Sequence, residues 1–252
     1  MEMIAAPLAY PYTSTDHSRV HQLIGWLQGA RLTLAGLGRD GNVVQVEQTV
    51  NIGQARERMG LLRSGAPLKT VFYQTDAWLL TPTHLFKEEE AATWLCQLFP
   101  CLPGEVKSTY LSRVGLHLTY AEPAALEDEM SPLQQALTFR PLPLCLLSEP
   151  EEGFLFCLTE GRALGFLYYG GQLKWYQQFD CTTPEDLLWQ ALQAAKNTGL
   201  RSSDINLRLW STEPESHQWL TLLSDYFMVQ TGAGLPWQPV LSLFQTMGSC
   251  AS

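Results

Sequence analysis

The sequence has few charged side chains, and those it has are mostly acidic. Only 16% of its 252 residues are charged, against roughly 25% in an average soluble domain. Its 25 Asp and Glu residues outnumber 16 Lys and Arg residues, which gives a formal net charge of −9. Proteins that bind nucleic acid or anionic membrane surfaces need clustered cations. We therefore expect neither nucleic acid nor membrane among the partners.

The sequence also lacks a long apolar run. Its densest apolar stretch, residues 141–147, is much shorter than the roughly 18 residues that a membrane-spanning helix needs. The first residues contain no basic region and are interrupted by Pro7 and Pro11, which is not typical of a signal peptide. We therefore expect a cytoplasmic protein without a membrane span.

Short motifs for metal or nucleophile chemistry are missing. The six cysteines form no CxxC pair, the five histidines show no HxxH or HxH spacing, and no serine lies in a GxSxG sequence. Cys96 and Cys101 have no neighbouring His or Cys pair that would complete a zinc site. We expect reduced thiols that pack as small hydrophobic side chains, no bound metal and no catalytic residue.

The second half of the sequence shows a clear order of secondary structure. Three apolar segments separated by turn signals, including Gly170-Gly171, predict a three-stranded meander. Thr183 and Pro184 are typical of a helix N-cap and first position, and Gly199 ends that helix. A further strand and a last helix complete the order β-β-β-α-β-α. The predicted strands cover 154–158, 163–169, 173–179 and 205–209, and the helices begin at 184 and after 214.

The first part of the sequence predicts the same order. Residues 16–28 also fit a helix by their apolar spacing, and only the analogy with the second half favours a strand there. Matching elements of the two halves are about 130 residues apart, which indicates an internal duplication. Two β-β-β-α-β-α units predict a mixed α/β protein with the duplicated ribonuclease-H-like, or actin-like ATPase, fold. The predicted strands cover 22–27, 32–37, 43–50 and 69–74, and the helices 54–63 and 86–99.

The residues between the two units suggest a connecting segment. Within residues 100–152 the pattern predicts a strand at 115–120, a helix at 123–137 and a strand at 142–148, with a hinge at 100–112. The domain prediction is a flexible N-terminal segment at 1–17, a first subdomain at 18–110, a second subdomain at 111–230 and a C-terminal tail at 231–252.

Three stretches resemble an uncharacterised Bacteroidetes family, a domain of unknown function with an actin-like ATPase fold. Residues 71–86 (VFYQTDAWLLTPTHLF) resemble its strand and helix start, residues 179–188 (FDCTTPEDLL) its entry to a long helix, and residues 220–226 (LTLLSDY) its closing motif. The match spans roughly residues 18–230 with motifs of a structural kind. The resemblance implies the fold and supplies no known activity.

An actin-like fold implies where a nucleotide would bind. Such ATPases hold the phosphates at the turn between the first two strands of each unit, with an aspartate for Mg²⁺ and glycines for close backbone approach. Here these turns contain Gln28-Gly29 and Glu160-Gly161, and the strand ending near 210 is followed by Ser211 rather than by two glycines. The candidate nucleotide contacts are therefore only Gly29, Gly161, Arg162 and Ser211.

A ribonuclease-H-type nuclease needs several carboxylates that converge on strand ends to hold two metal ions. The acidic residues do not follow that pattern, because 88–90 and 127–129 are runs typical of helix starts. The sequence predicts a protein without cofactor or catalysis that binds an unknown protein partner or itself as an interaction or assembly scaffold. The alternative is a degenerate nucleotide-binding, ATPase-like protein that uses the cleft between the two subdomains.

Overall fold

The structure of the chain is a computed structural model. The structure describes residues 19–28, 31–39, 43–49, 59–63, 68–100, 104–122, 137–148, 151–159, 161–211 and 216–230. The predicted N-terminal segment at 1–17 and the predicted C-terminal tail at 231–252 therefore lie outside the described residues. Among the described residues, no helix is long and apolar enough to cross a membrane.

The first compact unit contains a five-stranded sheet. Its strand order is β3-β2-β1-β4-β8, in which β1, β2 and β3 form an antiparallel meander and β4 and β8 run parallel to β1. A short 3-10 helix, Gly60–Arg63, follows β3, and the Leu61 N–H donates to Glu47 over 2.9 Å. The strands are β1 (Gln22–Gln28), β2 (Arg31–Leu37), β3 (Val43–Thr49), β4 (Leu68–Tyr73) and β8 (Thr138–Pro141).

The strand β1 settles the ambiguity at residues 16–28 for the part that is described. Leu23, Ile24, Trp26 and Leu27 are all buried, so both faces of this central strand are covered. A strand buried on both faces loses the alternation that identifies strands, and its apolar run then also fits a helical spacing. The prediction of a strand is confirmed here.

A second, three-stranded antiparallel sheet is inserted between β4 and β8 in the chain, with strand order β5-β7-β6. The helix α1 packs on one face of it, with Leu95 buried against Ala77 and Ala121. The sequence predicted β7 and α1, but it missed β5 and β6. These elements are β5 (Trp78–Pro82), α1 (Glu88–Leu98), β6 (Val106–Leu111) and β7 (Leu116–Ala121).

Two predicted elements of the first part differ from the structure. The predicted strand at 142–148 is wrong, because these residues form the helix α2 (Leu142–Ser148) and the strand is β8 just before it. Pro143 has no N–H to give to a sheet, but the first turn of a helix leaves that group unpaired in any case. Residues 123–136 of the predicted helix at 123–137 and residues 54–58 of the predicted helix at 54–63 lie outside the described residues, and the last four residues of the latter form the 3-10 helix Gly60–Arg63.

The second compact unit repeats the strand order and strand directions of the large sheet. Its order is β11-β10-β9-β12-β13, with β9, β10 and β11 antiparallel and β12 and β13 parallel to β9. A 3-10 helix, Ser202–Asp204, precedes β12. The other elements are β9 (Gly153–Thr159), β10 (Arg162–Tyr169), β11 (Gln172–Asp180), α3 (Pro184–Asn197), β12 (Asn206–Ser211), α4 (Ser216–Ser224) and β13 (Met228–Gln230).

An aromatic core joins the helices α3 and α4 to one face of this sheet. Phe154 and Phe156 are fully buried, and Trp175 meets both rings edge-on at centroid distances of 6.0 and 6.1 Å. Gly165 leaves the space for this packing, since a Cβ there would lie 2.6 Å from the Phe156 ring. Among the described residues of this unit most phenylalanines are thus core residues, whereas Trp189 is 62% exposed.

The two compact units divide the chain between Cys145 and Leu146, with residues 112–114 assigned to the second. This boundary is later than the predicted one after residue 110. The reason is that β7 pairs with both β5 and β6, and β8 pairs with β4, so these later strands belong to the sheets of the first unit.

Candidate functional site

Each large sheet begins with a very short connection where the fold would place a phosphate loop. Gln28 pairs with Arg31, and Thr159 pairs with Arg162, so only two residues join the first two strands in both units. Gly29 lies outside the described residues. A two-residue connection offers few backbone N–H groups, whereas a phosphate-binding loop needs several that point at one anion.

Gly161 and Arg162 lie together at the start of β10. Gly161 has a positive φ of 74°, and its carbonyl accepts a hydrogen bond of 2.7 Å from the Cys181 N–H. The Arg162 guanidinium lies 3.5 Å from the Asp180 carboxylate, and both side chains are largely exposed. Arg162 is therefore a cation on the hairpin surface that a carboxylate of its own sheet partly neutralises.

Ser211 reaches the same edge of the sheet. It is the last residue of β12 and pairs with Leu158 of β9, close to the connection that holds Gly161. The structure therefore brings Gly161, Arg162 and the Ser211 backbone to one edge of the second unit, and the Ser211 side chain is outside the description.

The start of helix α3 adjoins this edge, and its own residues occupy its N-terminal donors. The Thr182 and Thr183 N–H groups both donate to one oxygen of Asp186, over 3.1 and 2.9 Å, and the Asp186 N–H donates to the Thr183 hydroxyl over 3.2 Å. Hydrogen bonds from Thr183 hold the pKa of Asp186 below its ordinary value. A carboxylate of the chain thus fills the place where a helix start could meet a bound anion.

No group of three or more His, Cys, Asp or Glu side chains converges within the described ranges in a way that could hold a metal ion. Arg208, on β12, forms an ion pair with Glu151, and its burial lowers its pKa. Arg162, Asp186 and Arg208 of the second unit are therefore each paired with other groups of the chain itself.

The first unit carries a different feature, an exposed cluster of apolar and aromatic side chains on the small sheet. Phe86 stacks on His117 with centroids 3.8 Å apart and planes 5° apart, and Tyr110 is tilted by 40° to the same imidazole at a centroid distance of 5.1 Å. Leu85 is 54% exposed and Tyr110 is 52% exposed. We call Leu85, Phe86, Tyr110 and His117 the aromatic corner.

Local hydrogen bonds fix the aromatic corner in place. The Leu85 and Phe86 N–H groups both donate to the Pro82 carbonyl, over 2.9 and 3.1 Å. The Thr83 hydroxyl donates to the Gly115 carbonyl over 2.8 Å, which joins the loop after β5 to the β6–β7 hairpin. The exposed side chains are thus presented by a pinned backbone, which lowers the entropy lost when a partner binds.

A polar cluster lies on the same sheet near the other end of β6 and β7. Lys107 forms an ion pair with Glu122 and a second one with Glu105 at 3.5 Å, and the hydrogen bond to Glu122 raises the pKa of Lys107. Tyr120 is buried and hydrogen-bonded to Thr109, and burial raises its pKa. Tyr73 is also buried close to this cluster, and its hydroxyl has no hydrogen-bond partner among the described residues.

The sequence did not predict the aromatic corner. Its members come from the loop at 85–86, from β6 and from β7. The sequence pattern predicts β7 as a strand but does not predict β6. One local signal exists in the sequence. Two large apolar residues, Tyr110 and Leu111, directly follow the polar residues Lys107, Ser108 and Thr109. The spacing of the histidines predicts no role for His117, and in the structure its imidazole contacts the rings of Phe86 and Tyr110.

Two solved structures are similar to this chain over most of its length. A protein from Bacteroides thetaiotaomicron, with an actin-like ATPase fold and unknown function, matches with a TM-score of 0.67 and 13% identity, over 90% of this chain and 98% of that chain. The cytoplasmic domain of EpsL, an inner membrane component of the type II secretion system of Vibrio cholerae, matches with a TM-score of 0.53 and 14% identity, over 89% and 94%.

These likenesses confirm the predicted fold, and the chain has the actin-like ATPase fold. No family model and no curated protein matches the sequence. The resemblance to a Bacteroidetes family therefore remains a prediction beyond the fold itself.

Proposed function

We propose that this chain is a non-catalytic protein of actin-like fold that binds another protein, or a second copy of itself, and so acts as an interaction or assembly scaffold. The aromatic corner carries this proposal. Burying a leucine or aromatic side chain contributes about 1.5–3 kcal/mol, so half-exposed Leu85 and Tyr110 leave roughly 1 kcal/mol each for a partner to gain. Exposed apolar side chains around a rigid centre are typical of binding hot spots.

The edge of the second unit that holds Gly161, Arg162 and Ser211, the candidate nucleotide contacts, also supports this proposal. A nucleoside triphosphate brings about four negative charges, which a site must offset with cations and N–H donors. At this edge of the second unit, Arg162 faces Asp180, and the N–H groups of Thr182 and Thr183 face Asp186. The chain itself carries −9, so an incoming phosphate group meets carboxylates where it needs donors.

One structural neighbour supports the proposal of a scaffold role. The cytoplasmic domain of EpsL is similar in fold and belongs to a component of a secretion system. We propose a comparable use of the fold in this chain. The matching strand orders of the two large sheets also support the internal duplication that the sequence predicts.

A photo-crosslinking experiment tests the aromatic corner. Leu85 is replaced by benzoylphenylalanine, and the matched control carries the same residue at Trp189, which is 62% exposed on the second unit. We expect crosslinked products that form from position 85 and not from position 189. A purified partner identified in this way should bind Leu85→Asp at least about tenfold more weakly than the parent chain. Identical products from both positions would contradict the proposal.

The alternative function is that of a degenerate nucleotide-binding protein. Calorimetric titration with ATP and Mg²⁺ separates the two, because the scaffold proposal expects no saturable heat of binding. Saturable binding with a micromolar dissociation constant would favour the alternative, and Arg162→Ala would then be the first variant to compare.

A further inference from the structure

The strand β6 is an open edge of the small sheet. The Leu111 and Glu105 carbonyls accept hydrogen bonds from Gly115 and Glu122, so the odd-numbered residues of this strand direct their backbone groups toward β7. Because backbone groups alternate in direction along a strand, the N–H and C=O groups of Val106, Ser108 and Tyr110 point away from β7. No described residue pairs with these outward groups.

The outer edge of this sheet on the opposite side is different. On β5, the backbone groups of Trp78 and Leu80 are the ones that point away from β7. Both residues have an interaction partner besides their pairing with β7. On β6, in contrast, Ser108 and Tyr110 are exposed to solvent. An unpaired strand edge beside exposed apolar side chains is a template for the addition of another strand.

We infer that the occupant of this edge is β6 of a second copy of the chain, paired antiparallel around a two-fold axis at Ser108. In that register Ser108 lies opposite Ser108 of the other copy, and Val106 lies opposite Tyr110. It is the two-fold register in which all three outward-facing residues of one strand meet those of the other, with about six backbone hydrogen bonds. The apolar pair of Val106 and Tyr110 occurs twice, on the face that carries the aromatic corner; Val106 is half-buried against the cluster of Leu95, and Tyr110 is 52% exposed.

The charges of the strand agree with this pairing. An exposed lysine on an edge strand usually discourages association. Here the Lys107 ammonium group is held by Glu122 and Glu105 of its own chain, and Lys107 points to the other face of the sheet than Tyr110. The edge therefore presents no unpaired cation to its copy, and the Val106–Tyr110 contacts form away from the charged groups.

This inference rests on the proposed function, since it names a second copy as the partner of Tyr110 in the aromatic corner. Sedimentation velocity from about 1 to 100 μM spans the range of modest dissociation constants. We expect a shift of the parent chain from 28.3 kDa to about twice that mass. Backbone amides of Val106, Ser108 and Tyr110 should gain protection from hydrogen exchange as concentration rises, and those of the odd-numbered residues should not.

A pair of variants at one position tests the register. Ser108→Pro removes an N–H that faces outward and also the 3.0 Å contact between the Ser108 and Thr119 hydroxyls, while Ser108→Ala removes only that contact. We expect the proline variant to stay monomeric at all concentrations and the alanine variant to dimerise as the parent does. Circular dichroism of both variants shows whether they remain folded.

A third variant keeps the inference testable if the proline variant does not fold. Ser108→Cys should give a disulfide between the two copies under mild oxidation, identified as the linked peptide by mass spectrometry, and Thr109→Cys should not. A parent chain that stays at 28.3 kDa, or a dimer without the 108–108 link, overturns the inference. Position-85 crosslinks to a different protein in a monomeric chain would leave the proposed function standing and remove only the self-pairing.

Discussion

The buried hydroxyl of Tyr73 allows a sharp test of the energetics of the first unit. Tyr73 lies on the central strand β4, between Leu27 of β1 and Pro141 of β8, and is 1% exposed. Within the described part of the chain its hydroxyl oxygen is buried with no hydrogen-bond partner. A buried hydroxyl that loses its hydrogen bonds to water and gains none costs about 1–3 kcal/mol.

Tyr73→Phe removes only that oxygen and keeps the ring. We therefore expect the free energy of unfolding to rise by about 1 kcal/mol, which corresponds to an increase in Tm of about 2–4 °C for a chain of this size. Most substitutions of core residues lower the free energy of unfolding. For Tyr73, which is 1% exposed, even an unchanged free energy of unfolding in Tyr73→Phe would therefore be unusual. Urea unfolding followed by circular dichroism measures the change.

Tyr120→Phe is the matched control. Tyr120 is likewise buried on a central strand, but its hydroxyl is hydrogen-bonded to Thr109. Removing a satisfied hydroxyl loses about 1 kcal/mol, so the two variants should change stability in opposite directions. If Tyr73→Phe is destabilised as much as Tyr120→Phe, the Tyr73 hydroxyl has a partner and the reasoning is wrong.

The pH dependence gives an independent measurement on the same residue. Burial raises the pKa of Tyr73 above its ordinary value, and the nearby Tyr120 and Glu122 raise it further. When folding raises the pKa of a group, its contribution to the free energy of unfolding is fully present below the pKa of the unfolded chain, which is near 10 for tyrosine. That contribution is lost as the pH rises above this value. Above about pH 10 the parent chain should therefore lose stability more steeply than Tyr73→Phe.

Two further predictions concern the second unit. Gly165→Ala should destabilise the chain by about 1–3 kcal/mol in urea unfolding, because its Cβ would lie 2.6 Å from the Phe156 ring. Gly170→Ala, at a φ of 61° with open space around it, should lose only about 1 kcal/mol, and equal losses would refute the packing argument. The lowered pKa of Asp186 means that its capping contribution is present above its unfolded pKa and is lost as the pH falls. Asp186→Asn should flatten the acid limb of stability against pH, and an unchanged limb would exclude a role for this cap.

The sequence predicts the second unit well because its signals are local. Gly170 and Gly171 have positive φ values of 61° and 73°, as a tight hairpin requires. Thr183 and Pro184 mark the start of α3, and Thr183 forms the reciprocal cap with Asp186. Each of these features depends on a few adjacent residues, so the pattern alone places the element ends within one or two residues.

The inserted sheet is harder to predict for a physical reason. Its edge strand β6 alternates weakly between intermediate and exposed positions, and the polar residues Lys107, Ser108 and Thr109 occupy its middle. The exposed Ser108 shares a hydrogen bond with Thr119, a fully buried residue of β7, and the half-buried residues of the other face include Lys107 and Thr109. A period-two hydrophobic pattern does not detect a strand that has polar residues on both faces.

The aromatic corner depends on contacts between segments that are distant in sequence. Nothing in the neighbouring sequence distinguishes His117 from the other histidines. Its ring contacts that of Tyr110 because the two residues are paired across β6 and β7. Phe86 reaches the imidazole because Pro82 and Thr83 turn the loop toward the hairpin. A site made by strand register in this way becomes visible only when the register is known.

Two sheet edges bear on function, the first hairpin of the second unit and the strand β6 of the first unit, and they differ in whether their hydrogen-bonding groups already have partners. In the second unit, the donors near the first hairpin are paired with Asp180 and Asp186 of the chain itself. In the first unit, the outward backbone groups of Val106, Ser108 and Tyr110 have no described partner, and the Tyr110 side chain beside them is 52% exposed. Unsatisfied backbone groups and exposed apolar area are what a protein partner can use, whereas donors already held by carboxylates offer little to a phosphate. The distribution of satisfied and unsatisfied groups therefore favours protein binding on this actin-like fold.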